Sequence, residues 1–377
     1  MSSLYLHIPF CRSKCFYCSF ASWAGREHLL PEYLEAIKQE SAQLAARYGQ
    51  HLSPLQTLFV GGGTPTSMAA ARLCELLSHC LAHFQVAKGA EISVESNPCT
   101  VDRSYLGKLL EAGVNRISFG VQSCVDAELA LIGRTHRGRD AELAVKSAQQ
   151  AGFVNINIDL MYGIPGQTVK SWESSLQQAM DLGVQHLSLY QLTIEEETPC
   201  HTLVQRGDLV LPSEDIVLEM EAVTRRLCSK FGFGQYEISN FCREGFACLH
   251  NINYWHNANY LAAGAAAVSY IDGAREKRFS DIENYITASK KGLPVIKERE
   301  ELSREASFRE TVIMGLRMVT GVSRSALVRR YHMDVDEHYG QVVQDLVEQG
   351  FIELTETHLK ISPKGWPLSN QIMAQLV

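Results

Sequence analysis

Apolar and polar positions over the first two thirds of the chain follow two rhythms. Short, largely apolar runs span Leu4 to Ile8, Leu58 to Val60, Arg116 to Phe119, Val154 to Leu160 and His186 to Leu192, each a strand in length and composition. A further run, Glu91-Ile-Ser-Val-Glu95, alternates with a strict period of two. Between the runs lie stretches at helical spacing. Tyr33, Leu34, Ile37, Leu44 and Tyr48 follow Pro31; Leu73, Leu76, Leu77, Cys80, Leu81 and Phe84 form a second set. Further helices run through Leu109-Leu110 to a stop at Gly113, around Ala141 to Ala151, and over Trp172 to Asp181. Six strand–helix units in succession predict a parallel sheet with helices outside, either an open doubly wound sheet or a barrel.

After about residue 235 the rhythm changes. Gln235 to Phe241 reads as strand or loop, His250-Asn-Ile-Asn-Tyr-Trp255 is polar and aromatic, and Tyr260 to Tyr270 is so rich in Ala and Gly that it must pack closely. Lys290-Lys291-Gly292-Leu293-Pro294 reads as a linker. Helical patterns then cover Ser303–Thr320, Ser323–Tyr331 and Val335–Gln349, and strands Phe351–Leu354 and His358–Ile361 flank the turn Thr355-Glu-Thr357. This order is similar to a winged helix. The chain therefore divides into 1–235, a segment 236–300 packing on the first part, and a small α+β part at 301–377.

Composition narrows the function. Hydrophobic residues make up 46% and charged ones 20%, ordinary for a globular protein, and the net charge of −7 argues against a general nucleic-acid or anionic-membrane surface. From Glu301 to Val377, 8 Lys and Arg face 10 Asp and Glu, so the winged-helix-like part reads as an interaction module and not a DNA reader. No run of about 18 apolar residues is present to span a bilayer. Met1-Ser2-Ser3 meets the first strand at once and leaves no room for a signal peptide. Eleven scattered cysteines then predict free thiols in a reducing, cytoplasmic location.

Cys11, Cys15 and Cys18 form a CxxxCxxC triplet directly after the first strand. Three thiolates that close serve a metal, not packing. A mononuclear zinc would want a fourth ligand nearby; a [4Fe–4S] cluster on three cysteines leaves one iron open to a small molecule, and S-adenosylmethionine (SAM) is our choice for it. Gly61-Gly62-Gly63-Thr64-Pro65 ends the second strand, where glycines form either a tight turn or a backbone surface that a ligand can approach. Glu95, Gln122 and Asp159 stand at or just beyond successive strand ends, costly places for polar groups without a partner. They complement the ribose hydroxyls and ammonium of SAM, and Arg134 or Arg137 offers a cation for its carboxylate. His136 receives no role. His250 is by default a packing histidine, but with Asn251, Tyr254 and Trp255 beside it an imidazole for a heme iron is the competing reading.

Tyr5-x-His7-Ile-Pro-Phe-Cys11-x3-Cys15-x-Tyr17-Cys18, Gly61-Gly-Gly-Thr-Pro65, Glu95-x-Asn97-Pro98, Gly120-Val-Gln122-Ser123 and Asp159-Leu-Met-Tyr-Gly-Ile-Pro-Gly-Gln167 resemble the coproporphyrinogen-oxidase-like branch of the radical SAM superfamily nearly end to end. The resemblance implies an incomplete (β/α)6 barrel, a [4Fe–4S] cluster on Cys11, Cys15 and Cys18, and a SAM site of Tyr5, Gly62, Gly63, Thr64, Glu95, Gln122, Arg134 and Asp159, with Tyr17 beside it. Oxygen-independent coproporphyrinogen III dehydrogenases carry a fourth Cys two positions after the third, where this chain has Phe20, and an extension before the motif, where it has four residues. Both departures, with His250-Asn-x-x-Tyr254-Trp255 and the C-terminal part, are similar to the HemW-type heme chaperones. That branch implies heme as bound cargo, His250 as a heme contact, and transfer to a client hemoprotein. Membrane proteins among the clients and a homodimer are compatible with it. Where the family reads Gly-x-Gly-Ala-His-Ser, this chain has Gly264-Ala-Ala-Ala-Val268-Ser269.

The expectation is thus a heme chaperone that binds cluster, SAM and heme. It is not read as a coproporphyrinogen III dehydrogenase. The alternatives are a radical SAM oxidoreductase acting on a porphyrinogen, and a zinc-binding interaction protein.

Overall fold

The computed structural model describes residues 2–49 and 52–377, so Met1, the first residue of the expected leaderless start, lies outside it. Six parallel strands in sequence order form the centre of one sheet: β1 (Ser2–Ile8), β2 (Leu55–Gly62), β3 (Val86–Ser96), β4 (Arg116–Gln122), β5 (Ile156–Tyr162) and β6 (His186–Gln191). Helices α1 (Leu30–Tyr48), α2 (Ala70–His83), α3 (Arg103–Glu111), α4 (Asp126–Leu131), α5 (Gly138–Ala151) and α6 (Val169–Asp181) cross between them. Then follow α7 (Pro199–Gln205), α8 (Glu214–Lys230) and two short antiparallel strands, β7 (Gly234–Gln235) and β8 (Asn240–Cys242), that extend the β6 edge.

The strands alternate in a way that explains both the core and the site. Leu4, Leu6 and Ile8, Leu58 and Val60, Ile92 and Val94, Ile117 and Phe119, Ile158 and Leu160, Leu187 and Leu189 all belong to one buried apolar layer beneath the helices. The intervening residues form the inner face, and apart from the aromatic pair Tyr5 and Phe59 they are mostly polar: Thr57, Glu91, Ser93, Glu95, Arg116, Ser118, Asn157, Asp159, His186 and Ser188. Two of them meet directly across neighbouring strands, Asn157 Oδ1 lying 2.6 Å from His186 Nδ1. A parallel sheet buried on both faces would be apolar throughout. This one is apolar toward its helices and polar toward its interior.

Residues 236–300 meet the barrel through its sheet. After α9 (Leu249–Trp255), strand β9 (Tyr260–Ala263) pairs in parallel with β1, and β10 (Val268–Ile271), β11 (Ala274–Arg278) and β12 (Ile296–Glu301) continue antiparallel to give a sheet of twelve strands. The Ala- and Gly-rich stretch does pack closely: Gly264 N donates to Glu40 Oε2 at 2.9 Å and Ala265 N to Tyr33 Oη at 3.0 Å, both on α1. The expected linker is the turn between α10 (Ile282–Lys290) and β12. The sheet order ends at β12 and β7, so the curved sheet stays open.

The C-terminal part has its own apolar core, including Phe308, Val312, Leu327, Leu346, Leu359 and Ile372. It contains α11 (Arg304–Gly315), α12 (Arg324–Tyr331), α13 (Val335–Tyr339), α14 (Gln341–Glu348) and α15 (Ser369–Ala374), with the small sheet β13 (Val322–Ser323), β14 (Ile352–Leu354) and β15 (His358–Ile361) in the order β13-β15-β14. The first helix stops at Gly315, short of the predicted Thr320, and Met318 beyond it bridges to Glu237. The third is split at Gly340, whose φ of 50° breaks the ladder. No helix among the described residues is long and apolar enough to cross a membrane.

Candidate functional site

The cysteine loop leaves the end of β1 and is held at several points. Cys11 N donates to Trp23 O at 3.0 Å and Trp23 N to Pro9 O at 2.8 Å, which ties the loop's far end to its start. Phe16 N donates to Ile132 O at 3.0 Å, and Cys200 N to Phe16 O at 2.9 Å. His7 adds a side-chain tie. Its Nε2 lies 2.8 Å from Ala21 O and its Nδ1 2.9 Å from Tyr5 Oη, so Nε2 donates and Nδ1 accepts. Burial lowers the His7 pKa and keeps this imidazole neutral.

Cys11, Cys15 and Cys18 face one cavity at the C-terminal ends of the strands, the end at which parallel α/β folds place ligands. Gly62 and Gly63 form part of its floor. Gly62 has φ of +114°, and a Cβ there would fall 2.7 Å from the His7 ring. A Cβ on Gly63 would fall 2.7 Å from Phe10 O and 2.9 Å from Cys11 Sγ. The glycines are required by the cysteine loop as well as by the turn.

Three further walls come from successive strands, and a fourth from the loop between α4 and α5. Glu95 Oε2 accepts from Gly62 N at 3.1 Å, and burial, reinforced by Asp159, pushes the Glu95 carboxyl up to about 8. Burial also raises Asp159, against hydrogen bonds from Asn157 Nδ2 at 2.7 Å and from Ser118 Oγ at 3.3 Å. Gln122 sits at a register shift between β4 and β5 with φ of 71°, a bulge that turns its amide into the cavity. Arg134 Nη1 donates to Cys15 Sγ at 3.5 Å and Nη2 to Gly120 O, while its buried Nε has no partner. Arg137 instead caps α5, its backbone N donating to Asp140 Oδ2 at 2.8 Å, so the choice left open by the sequence falls on Arg134.

These residues fit the expected groups. All three thiols are free and face the same cavity, yet no three His, Cys, Asp or Glu among the described residues converge closely enough to share a single ion. Thiols spread round a cavity suit the corners of a [4Fe–4S] cube better than one tetrahedral zinc. The remaining wall offers two carboxyl groups, an amide, the Thr64 hydroxyl and an unfilled Arg134 donor, the complement of a zwitterionic, hydroxylated ligand.

Eleven of the thirteen site residues expected from sequence line this cavity: the three cysteines, Tyr17, Gly62, Gly63, Thr64, Glu95, Gln122, Arg134 and Asp159. Tyr5 does not; it stands one layer deeper on β1 with its hydroxyl on His7. Nor does His250. Its ring is buried, stacked on Phe59 at 5.0 Å, with Nδ1 2.7 Å from Thr57 Oγ1 and Nε2 3.1 Å from Tyr254 Oη. An axial heme ligand needs a free nitrogen lone pair, and neither nitrogen is free in this arrangement. The Glu91 carboxylate fixes the helix beneath it, accepting from Leu249 N at 3.0 Å and His250 N at 3.2 Å. Phe20, singled out above for its place in the motif, lines the cavity as well, and so does Lys14, which has no role in the sequence reading. A lysine between two candidate ligand cysteines was the available signal for Lys14.

Comparison with known proteins agrees with this geometry. The model of the radical SAM superfamily matches residues 5–179, and that of the HemN C-terminal domain matches residues 302–368. The chain is 37% identical to the heme chaperone HemW of Bacillus subtilis, over 99% of this chain and 98% of that protein. It is 32% identical to the heme chaperone HemW of Lactococcus lactis, over 100% and 97%. Among solved structures it superposes on coproporphyrinogen III oxidase HemN of Escherichia coli, a radical SAM enzyme, with a TM-score of 0.86 and 24% identity, over 100% of this chain and 89% of that one.

Proposed function

Since this chain belongs to the HemW family within the radical SAM superfamily, we propose that it is a heme chaperone, binding a [4Fe–4S] cluster, SAM and heme and passing the heme to a client hemoprotein. The observation that carries the reading is the near end-to-end identity with proteins named as heme chaperones. Phe20, 65% exposed at the cavity where the dehydrogenase branch has its fourth Cys, supports it.

In this reading Cys11, Cys15 and Cys18 hold the cluster, which when bound supplies an open iron for SAM. Glu95 and Asp159 receive the ammonium and ribose of SAM, Gln122 and Thr64 bond its polar edge, and Arg134 faces its carboxylate. Tyr17 closes the cavity on the side of the loop, and Tyr5 acts through His7 to fix where the loop ends. Residues 1–235 carry this site, 236–300 complete the sheet and bring the HNxxYW helix to it, and 301–377 form a separate packing and interaction unit. The client, a hemoprotein, meets the chain in the cytoplasm, and no nucleic acid takes part.

The test is heme titration of the anaerobically reconstituted protein, followed in the Soret region. Absence of stable heme binding would overturn the chaperone reading. Formation of protoporphyrinogen from coproporphyrinogen III, with SAM and a reductant, would replace it with the oxidoreductase reading.

A further inference from the structure

Ser123, Gln167 and His136 do not line the cavity of the three cysteines, yet all three are buried just behind its wall. They converge on one short segment, Gly120-Val121-Gln122-Ser123, at the tip of β4. Ser123 N donates to Val121 O at 2.9 Å around Gln122, whose φ is 71°. A three-residue turn with a positive φ at its centre is the strained form of the γ-turn. Such strain persists only where the surroundings over-determine the backbone, and it concentrates where a side chain has to be aimed.

Two sets of buried contacts hold this turn. On one side, His136 Nε2 lies 3.0 Å from Val121 O, and since a carbonyl can only accept, Nε2 carries the proton. Burial, with the Arg134 charge beside it, lowers the His136 pKa to about 4 and keeps the ring neutral. Its buried Nδ1 has no partner among the described residues. Arg134, two residues earlier, takes the preceding carbonyl, Gly120 O. On the other side, Ser123 Oγ donates to Glu128 Oε2 at 2.6 Å, and Gln167 Nε2 donates to the same oxygen at 3.0 Å. Gln167 in turn holds the segment after β5, its Oε1 accepting from Ile164 N at 3.3 Å. Glu128 is only 5% exposed, so α4 brings a buried carboxylate between the tips of β4 and β5.

We propose that His136 and Glu128 are positioning residues for SAM: they hold the strained Gln122 turn from its two sides and so set the carboxamide that faces the ligand. Gly120 leaves room for that carboxamide, since a Cβ there would fall 3.3 Å from Gln122 Nε2. Neither His136 nor Glu128 lines the cavity, so any effect of either on SAM passes through the turn. The inference rests on Gln122 as a SAM contact and adds to it the two groups that fix where its amide lies.

The test titrates SAM into cluster-loaded full-length protein and follows the change it makes in the reduced cluster's EPR signal. Gln122→Ala is expected to weaken SAM about fivefold, the worth of one net hydrogen bond. Glu128→Ala and His136→Leu are each expected to weaken it by about twofold or more, as members of one network with Gln122. Glu128→Gln and His136→Gln are expected to restore most of the loss, because one amide oxygen can accept both bonds at Glu128 and an amide N–H can replace Nε2. The decisive comparison is made in the Gln122→Ala background, where Glu128→Ala and His136→Leu are expected to cost nothing further. Losses that simply add to that of Gln122→Ala overturn the assignment, as does wild-type affinity in the two single variants. The two residues are tested separately, so the His136 series decides if Glu128→Ala folds poorly. A Gln122→Ala protein that binds SAM like wild type instead overturns the reading of Gln122 as a SAM contact.

Discussion

Gly62 and Glu95 are joined at the mouth of the barrel: the Gly62 amide donates to Glu95 Oε2 at 3.1 Å, across the tips of neighbouring strands. The hydrogen bond favours the carboxylate, but burial and the Asp159 charge outweigh it, and the Glu95 pKa rises to about 8 from a reference of 4.5. An acid with a folded pKa above its unfolded value holds its proton more tightly when folded. Its contribution to stability is present below about pH 4.5 and is lost as pH rises through about 8.

Glu95→Gln keeps an oxygen for Gly62 N but cannot ionise. In the ligand-free protein it is expected to match wild type near pH 5 and to exceed it by a few kcal/mol, on an order-of-magnitude basis, near pH 8.5. Denaturant unfolding at the two pH values measures this. A gain that does not change with pH would sink the argument. The same variant is expected to bind SAM about tenfold more weakly near pH 8.5, where the wild-type carboxyl is a charged acceptor.

Gly63→Ala would set a methyl against Phe10 O and Cys11 Sγ. The backbone oxygen cannot swing aside, so the cysteine loop must move. The expected outcome after anaerobic reconstitution is a folded chain that has lost most of its iron and sulfide. Gly107→Ala is the control: it lies within α3 with open space at its Cβ and is expected to gain up to about 1 kcal/mol.

Glu40 on α1 meets Arg278 on β11 in a buried ion pair, Arg278 Nε donating to Glu40 Oε1 at 2.7 Å. Glu40 Oε2 also accepts from Tyr285 Oη at 2.6 Å and from Gly264 N. Removing the carboxylate strands a buried guanidinium, so Glu40→Ala is expected to cost about 3–5 kcal/mol. Glu283→Ala, at the exposed pair with Arg26, is expected to cost less than about 1 kcal/mol. Chemical denaturation of both variants separates the two cases.

Ala266 occupies the left-handed region with φ of 64°, at the position where the family carries the second Gly of Gly-x-Gly-Ala-His-Ser. The chain keeps the turn, with Ala266 N on Phe279 O at 2.8 Å, and tolerates the crowding of a Cβ. Ala266→Gly is expected to stabilise the protein by about 1 kcal/mol, less the added freedom of the unfolded chain. Unchanged or lower stability in urea would show that the turn carries no such strain.

The parts of the fold that could be read from the sequence were those written locally. Glu91-Ile-Ser-Val-Glu95 announces an apolar side and a polar side, and β3 uses them so. Cys11, Cys15 and Cys18 announce a shared ligand because their spacing leaves no other common purpose. Helix α8 was missed although Met220, Val223, Leu227 and Cys228 repeat at helical spacing and are buried. The pairing of β9 with β1 could not be seen, because nothing in Tyr-Leu-Ala-Ala names a partner more than 250 residues upstream. The surroundings of His250 were hidden for a related reason. Its neighbours in sequence suggested a ligand face, whereas its neighbours in space, Thr57 and Phe59, come from β2 and enclose it.

That β1–β9 pairing also sets an order of events during synthesis. During synthesis β1 has β2 on one edge early, but its other edge stays bare until Tyr260–Ala263 has been made. Contacts of such sequence separation form late and leave unpaired edges exposed meanwhile. The loop that bears the three cysteines hangs from the end of this same strand, whose second edge is completed only after the chain has been made as far as Ala263. The loop and the strand that completes its support are thus separated by most of the chain.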